Sequence, residues 1–158
     1  MATKKTAKKA APKKPATKAR PAAKRAASAG LKLDELSTSF TANDLGKSLA
    51  WYRDVVGFSV EERYERDGKL VGVGLRAGKV FLMLSQDDWK KGRRTKGEAF
   101  RLYLMTSQDV DAIAKGIVSR GGVLDQPPTN QPWGMRDFSL TDPDGFKLTI
   151  ATELKKKR

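Results

Sequence analysis

The 158-residue chain contains no histidine and no cysteine. Without histidine it lacks the commonest transition-metal ligand and the usual general base near neutral pH. Without cysteine it has no disulfide framework and no thiolate chemistry, which suits a reducing compartment. No apolar run approaches the length of a membrane span, and residues 1–30 hold no apolar core of a secretory signal. The expected location is therefore cytoplasmic. Acidic residues are missing from both ends: residues 1–30 carry eight Lys and two Arg with no acid, and residues 155–158 are all basic. Those ends account for the whole formal charge of +14, leaving 18 basic against 18 acidic residues in 31–154. The chain reads as a neutral domain with basic ends.

Residues 1–30 are low-complexity Lys/Ala/Pro with no aromatic and almost no large aliphatic side chain. Such a segment cannot bury enough apolar surface to offset the entropy of ordering it, so disorder is expected. Pro12, Pro15 and Pro21 interrupt any nascent helix. The composition resembles the tails of linker histones and of bacterial histone-like proteins, which implies sequence-blind neutralisation of phosphates. Lys4, Lys5, Lys8, Lys9, Lys13, Lys14, Lys18, Arg20, Lys24 and Arg25 are the candidate contacts, with non-specific DNA or RNA as partner and nucleoid association as the corresponding location. A solubilising tail is the plainer alternative.

From Leu31 the pattern changes. Leu36–Ala42 reads as a strand, and Asn43-Asp44 as an N-cap. Leu45, Leu49, Tyr52 and Val56 recur at helical spacing up to Gly57. Strands follow over 58–65, 70–76 and 80–85, the first two joined by Asp67-Gly68. After a polar linker, 87–98, the order repeats: a strand over 100–106, a helix capped by Asp109 with Val110, Ile113 and Ile117 in line, a short strand over 123–126, a break at Pro127-Pro128, and a closing hairpin around Asp142-Pro143-Asp144-Gly145. Two βαβββ modules, 33–86 and 99–153, make one domain spanning 31–154.

Asn43–Phe58, Asp109–Ala112, Trp133–Arg136 and Asp142–Gly145, in this order and spacing, resemble the vicinal oxygen chelate superfamily of glyoxalases, bleomycin-resistance proteins and extradiol dioxygenases. The resemblance implies an α+β fold: two βαβββ modules forming an incompletely closed eight-stranded barrel around a cavity, with homodimers frequent. Metal-using members place a His on the first strand, Glu or Gln on the fourth, His on the fifth and Glu on the eighth. Carried onto this chain, those positions fall on Ser37, one of Phe81, Leu82 and Met83, a residue at or beside Leu102, and Thr149. Hydroxyls and hydrocarbons do not hold a first-row metal, and Glu153 could replace one ligand but not four. No metal and no cofactor is expected.

What remains is a cavity for a small planar or amphipathic ligand. Pairing the closing hairpin with Thr141 opposite Phe146 puts Arg136, Phe138 and Thr149 on the cavity face. Ser37, Ser39, Met83 and Leu102 complete the lining, and Trp133 stands at the mouth. Arg136 would then meet an anionic ligand group, or else pair with Asp137 or Glu153. Phe40, Phe146, Leu148 and Ile150 are expected under the helices, Trp51 in helix packing, and Tyr103 and Met105 in the core. Trp89 is a lid or a dimer contact, and Arg93-Arg94 a solvated run. The leading reading is a drug-sequestering or ligand-sensing protein of the bleomycin-resistance branch that makes and breaks no bond. The alternatives are a lyase- or isomerase-like enzyme of the same fold, for which no nucleophile–base pair is visible, and a nucleic-acid-associated protein acting through its tail.

Overall fold

The structure, a computed structural model, describes residues 36–88 and 95–155. The basic tail, Trp89, Arg93-Arg94 and residues 156–158 lie outside the described residues. In chain order the elements are β1 (Thr38–Ala42), α1 (Leu45–Ala50, continuing as a π-helical segment Trp51–Val56), β2 (Ser59–Arg66), β3 (Lys69–Ala77), β4 (Val80–Gln86), β5 (Arg101–Met105), α2 (Val110–Ser119), β6 (Gln126–Asn130), β7 (Met135–Thr141) and β8 (Lys147–Glu153). They form two four-stranded mixed sheets, ordered β1-β4-β3-β2 and β5-β8-β7-β6, that do not close on each other.

Local chemistry explains the element ends. Asp44 caps α1 by accepting from Lys47 N, and Asp109 caps α2 by accepting from Asp111 N and Ala112 N. Gly57, at φ 106°, ends the first helix in the left-handed region. Its amide and that of Phe58 both bond to Tyr52 O, the wide closure of a π turn. No Gly or Pro marks that widening, so helical periodicity alone reads it as ordinary α-helix. Asp67 and Gly68, both at positive φ, make the two-residue hairpin between β2 and β3.

Each helix lies on one face of its own sheet, and those faces share one core. Phe40, Leu45, Leu49, Tyr52, Val73, Leu75, Leu82 and Leu84 come from the first module. Val110, Ile117, Phe138, Leu140, Leu148 and Ile150 come from the second. A fully buried side chain of this size contributes about 1.5–3 kcal/mol. At the seam Phe146 stacks flat on Phe40, centroids 4.0 Å apart, with Phe100 edge-on to both. As expected, Phe40, Phe146, Leu148 and Ile150 lie on the helix side, and Trp51 packs against the core edge-on to Tyr52.

Three expectations are corrected. The closing hairpin pairs Thr141 with Lys147, Phe138 with Ile150 and Ser139 with Thr149, one residue from the expected register. Asp142 N bonds to Phe146 O and keeps Phe146 inside the loop, so the ladder starts one residue later. Because strand side chains alternate, that slip turns Arg136 and Phe138 to the helix side. The last short strand runs over Gln126–Asn130, and Val123 is 78% exposed ahead of it. Pro127 and Pro128 lie inside this strand because β6 is a sheet edge with a register shift between Gln126 and Thr129, where a missing N–H costs no ladder bond. Tyr103 and Met105 are not core: they are 46% and 52% exposed on the face of β5 away from α2.

Candidate functional site

Each sheet has a second face that neither of the described helices covers, and alternation fixes what stands there. On the first sheet Ser39 and Thr41 of β1 pair with Met83 and Ser85 of β4, which pair with Gly74 and Gly72 of β3. The glycines leave room for rings to lie across the sheet: a Cβ at Gly74 would sit 2.9 Å from the Phe81 ring, and one at Gly72 3.4 Å from Tyr64. Beside them lies a hollow of about 280 Å³ bordered by Thr41, Tyr64, Gly72, Met83, Ser85 and Gln86, small for a ligand pocket. A larger groove of about 1030 Å³ runs between α2 and the β3–β4 turn, where Ala112 and Gly116 face Lys79 and Val80. Met105 reaches its edge, but none of the ligand-site residues expected from the sequence lines it.

On the second sheet the uncovered face carries Tyr103 beside Thr149 and Met105 beside Ala151, which in turn pairs with Asp137. Tyr103 Oη donates to Asp137 Oδ2 at 3.3 Å, so the side chain reaches from β5 over β8 to β7. Thr149 and Ala151 lie in the strand it crosses, and both are buried. Gln131 Nε2 donates to Asp137 Oδ1 at 2.7 Å. Asp137 is 5% exposed.

The structure therefore brings Ser39 and Met83 together on one uncovered face and puts Thr149 on the other, with Ser37 just ahead of β1 on the Ser39 side by alternation. Leu102 pairs with Leu148 on the helix side, and Tyr103 takes the place expected for it. Phe138 is fully buried in the core. Arg136 Nε and Nη2 each donate at 2.7 Å to the Asp111 carboxylate on α2, and Nη1 donates to Asn130 Oδ1. The pair holds the Asp111 carboxyl below the usual carboxylate range and the guanidinium above its own, through that hydrogen bond first. The partner left open in the sequence is thus Asp111, neither Asp137 nor Glu153. Trp133, 66% exposed, sits at the tip of the β6–β7 hairpin beside Gly134 at φ 87°.

The Asp142–Gly145 turn is a clasp between modules. Asp142 Oδ1 accepts from the amides of Asp144 and Phe146, and Oδ2 accepts from Tyr52 Oη at 3.0 Å. Asp144 accepts from Asn43 N and Nδ2 at 2.9 and 2.8 Å, and from Ser48 Oγ at 2.7 Å. Burial raises the Asp142 carboxyl above its ordinary pKa and pushes the Tyr52 hydroxyl well above its own. A strap from the linker locks the turn: Lys96 O lies 2.7 Å from where a Cβ on Gly145 would stand, while Lys96 Nζ bonds Asp87 Oδ2 at 2.5 Å and Thr41 Oγ1 at 3.0 Å.

The model of the glyoxalase/bleomycin resistance protein/dioxygenase superfamily matches residues 32–150. The chain belongs to that superfamily. Among curated proteins it is similar to a probable lactoylglutathione lyase of Synechocystis sp., 23% identical over 128 residues that cover 77% of this chain and 97% of the relative. Among solved structures it resembles TioX from Micromonospora sp. ML1, with TM-score 0.64, 20% identity, and 77% and 99% of the two chains covered. It also resembles a superfamily member from Sphaerobacter thermophilus, with TM-score 0.60, 25% identity, and 76% and 98% covered. The imidazole and carboxylate donors of the metal-using members do not stand at the matching positions of this chain. Those positions hold the Ser37 hydroxyl, one of Phe81, Leu82 and Met83, Leu102 or the Tyr103 phenol beside it, and the Thr149 hydroxyl. Among the described residues no three His, Cys, Asp or Glu side chains cluster as a metal site would need.

Proposed function

We propose that this superfamily member is a metal-independent small-molecule-binding protein, drug-sequestering or ligand-sensing, that holds a planar or amphipathic compound against the uncovered sheet faces. The observation that carries the reading is the side-chain chemistry at the donor positions. Ser37, Met83, Tyr103 and Thr149, at or beside them, offer hydroxyls, a soft thioether and an aromatic ring, which suit reversible contact better than metal coordination. Exposed apolar groups on those faces (Tyr64, Tyr103 and Met105) also support a homodimer in which a second copy arches over them. Equilibrium dialysis against zinc, nickel and ferrous iron, followed by metal analysis, tests the first claim. No stoichiometric retention is expected, and one ion held per chain would overturn it.

The similarity to a probable lactoylglutathione lyase makes an isomerase-like enzyme the competing reading, but no nucleophile–base pair among the described residues favours it. A second activity rests on charge. Residues 1–30 carry +10 against a neutral body, which supports non-specific binding of DNA or RNA by the tail and a place on the nucleoid. Fluorescence anisotropy with duplex DNA should show affinity falling steeply with salt, and deletion of residues 1–30 should abolish both affinity and slope. Undiminished binding by residues 31–158 would refute the assignment.

A further inference from the structure

The register of the closing hairpin decides which charged side chain stands on the uncovered face. In the expected register Arg136 faces the site and calls for an anion. In the structure Arg136 is bonded to Asp111 on the helix side, and the side chain that takes its place on the uncovered face is Asp137. This carboxylate is 5% exposed and has no cationic partner among the described residues. Its own bonds come from two neutral donors, Gln131 Nε2 and Tyr103 Oη. The cations on the same face, Arg101 and Lys147, pair with each other's strands one alternation beyond Tyr103–Thr149, away from Asp137.

The direction of the Tyr103–Asp137 hydrogen bond matters as much as the charge. A phenol has one proton to give. A carboxylate can only accept, so the Tyr103 proton points to Asp137 across a long 3.3 Å hydrogen bond, and the rest of Oη, on a side chain 46% exposed, presents lone pairs to the solvent. A ligand arriving over Thr149 therefore meets an acceptor polarised by a buried negative charge, flanked by the Met105 thioether. Such a site welcomes a charged donor and repels a carboxylate or phosphate.

We propose that Tyr103 contacts the ligand's polar end, that Asp137 acts through it as a positioning residue, and that together they select a planar compound bearing a protonated amine or amidinium. The proposal deepens the binding reading above and rests on it. The test uses the full chain and three matched probes: 2-naphthylmethylammonium, the neutral 2-naphthylmethanol and 2-naphthoate. Binding is read from the amide NMR signals of Tyr103, Thr149 and Ala151. The ammonium should bind at least ~10-fold more tightly than the naphthoate, the scale of one charge-assisted hydrogen bond. Asp137→Asn keeps the shape but lets the amide donate to Tyr103 Oη, turning the phenolic proton outward. That variant should lose the ammonium preference and gain affinity for the naphthoate without unfolding. Tyr103→Phe should lose the preference and gain nothing. If all three probes bind this face equally, or if Asp137→Asn leaves the order unchanged, the charge selection is wrong while the binding reading stands. If none of them moves these signals, both fall.

Discussion

Asp142 is held on both of its carboxylate oxygens. Its carboxylate is 5% exposed yet accepts two backbone amides and the Tyr52 hydroxyl. The hydrogen bonds favour the charged form, but burial outweighs them and the folded pKa stands above the ordinary carboxylate value. A group shifted this way binds its proton more tightly in the folded than in the unfolded chain. Its contribution to stability is complete below about pH 4 and is lost as the pH rises through the raised value. Asp142→Asn, which keeps an acceptor for the two amides, should abolish that component. Melting temperatures at pH 7 and pH 4 should show the unmodified chain gaining on the variant at the lower pH; a gap independent of pH would refute the shift. The motif itself was legible, since Pro143 and Gly145 announce a turn and the flanking alternation announces strands. The destination of its acids was not. Asp142 and Asp144 bond to residues 90 and 96 or more positions away, and nothing local to a turn says whether its carboxylates meet a ligand, water or another module.

Among the elements, helices and strands were readable because their burial is periodic, and the failures came where one residue of phase decides a face. The β7–β8 ladder begins at Thr141–Lys147, one step from the reading based on a four-residue loop. That step exchanges Arg136 for Asp137 and Phe138 for Ser139 on the uncovered face. Leu102 and Tyr103 exchange for the same reason. β6 was obscured by its prolines, whose tolerance on an edge strand is a property of the assembled sheet. The strap between modules is equally invisible in composition, because a glycine in a polar linker signals only flexibility. Here Gly97 has φ 66°, and a Cβ on it would stand 2.2 Å from the Gly145 carbonyl carbon. Neither backbone can yield without breaking the turn. Gly97→Ala should therefore cost more than about 2 kcal/mol in urea unfolding, while Gly78→Ala, with nothing within 4 Å but a φ of 58°, should cost only its backbone strain.

At the scale of the molecule, the family was legible because two modules repeat the same order of elements and the motifs fall in register with that repeat. The ligand was not, because both candidate faces are open sheets whose lining depends on what closes over them. An exposed phenol, a thioether and Tyr64 on such faces lead us to expect a dimer. Sedimentation equilibrium should give about twice the 17.4 kDa chain mass. Charged substitution at Met105, which is 52% exposed, should return the protein to a monomer with little loss of secondary structure. A monomer at micromolar concentration before substitution would refute the arrangement.

The clasp is one-sided. The first helix gives Ser48 and Tyr52, and Asn43 just ahead of its cap joins them, to the acids of the β7–β8 turn, whereas the second helix faces the β3–β4 turn across an open groove. The halves are alike in topology yet unequal as hosts. A chain assembled from two copies of the first half would have the receiving helix without the acids, and one from two copies of the second would have the acids with nothing to receive them. The asymmetry makes this protein a heterologous pair written on a single strand of sequence, in which each half supplies what the other cannot.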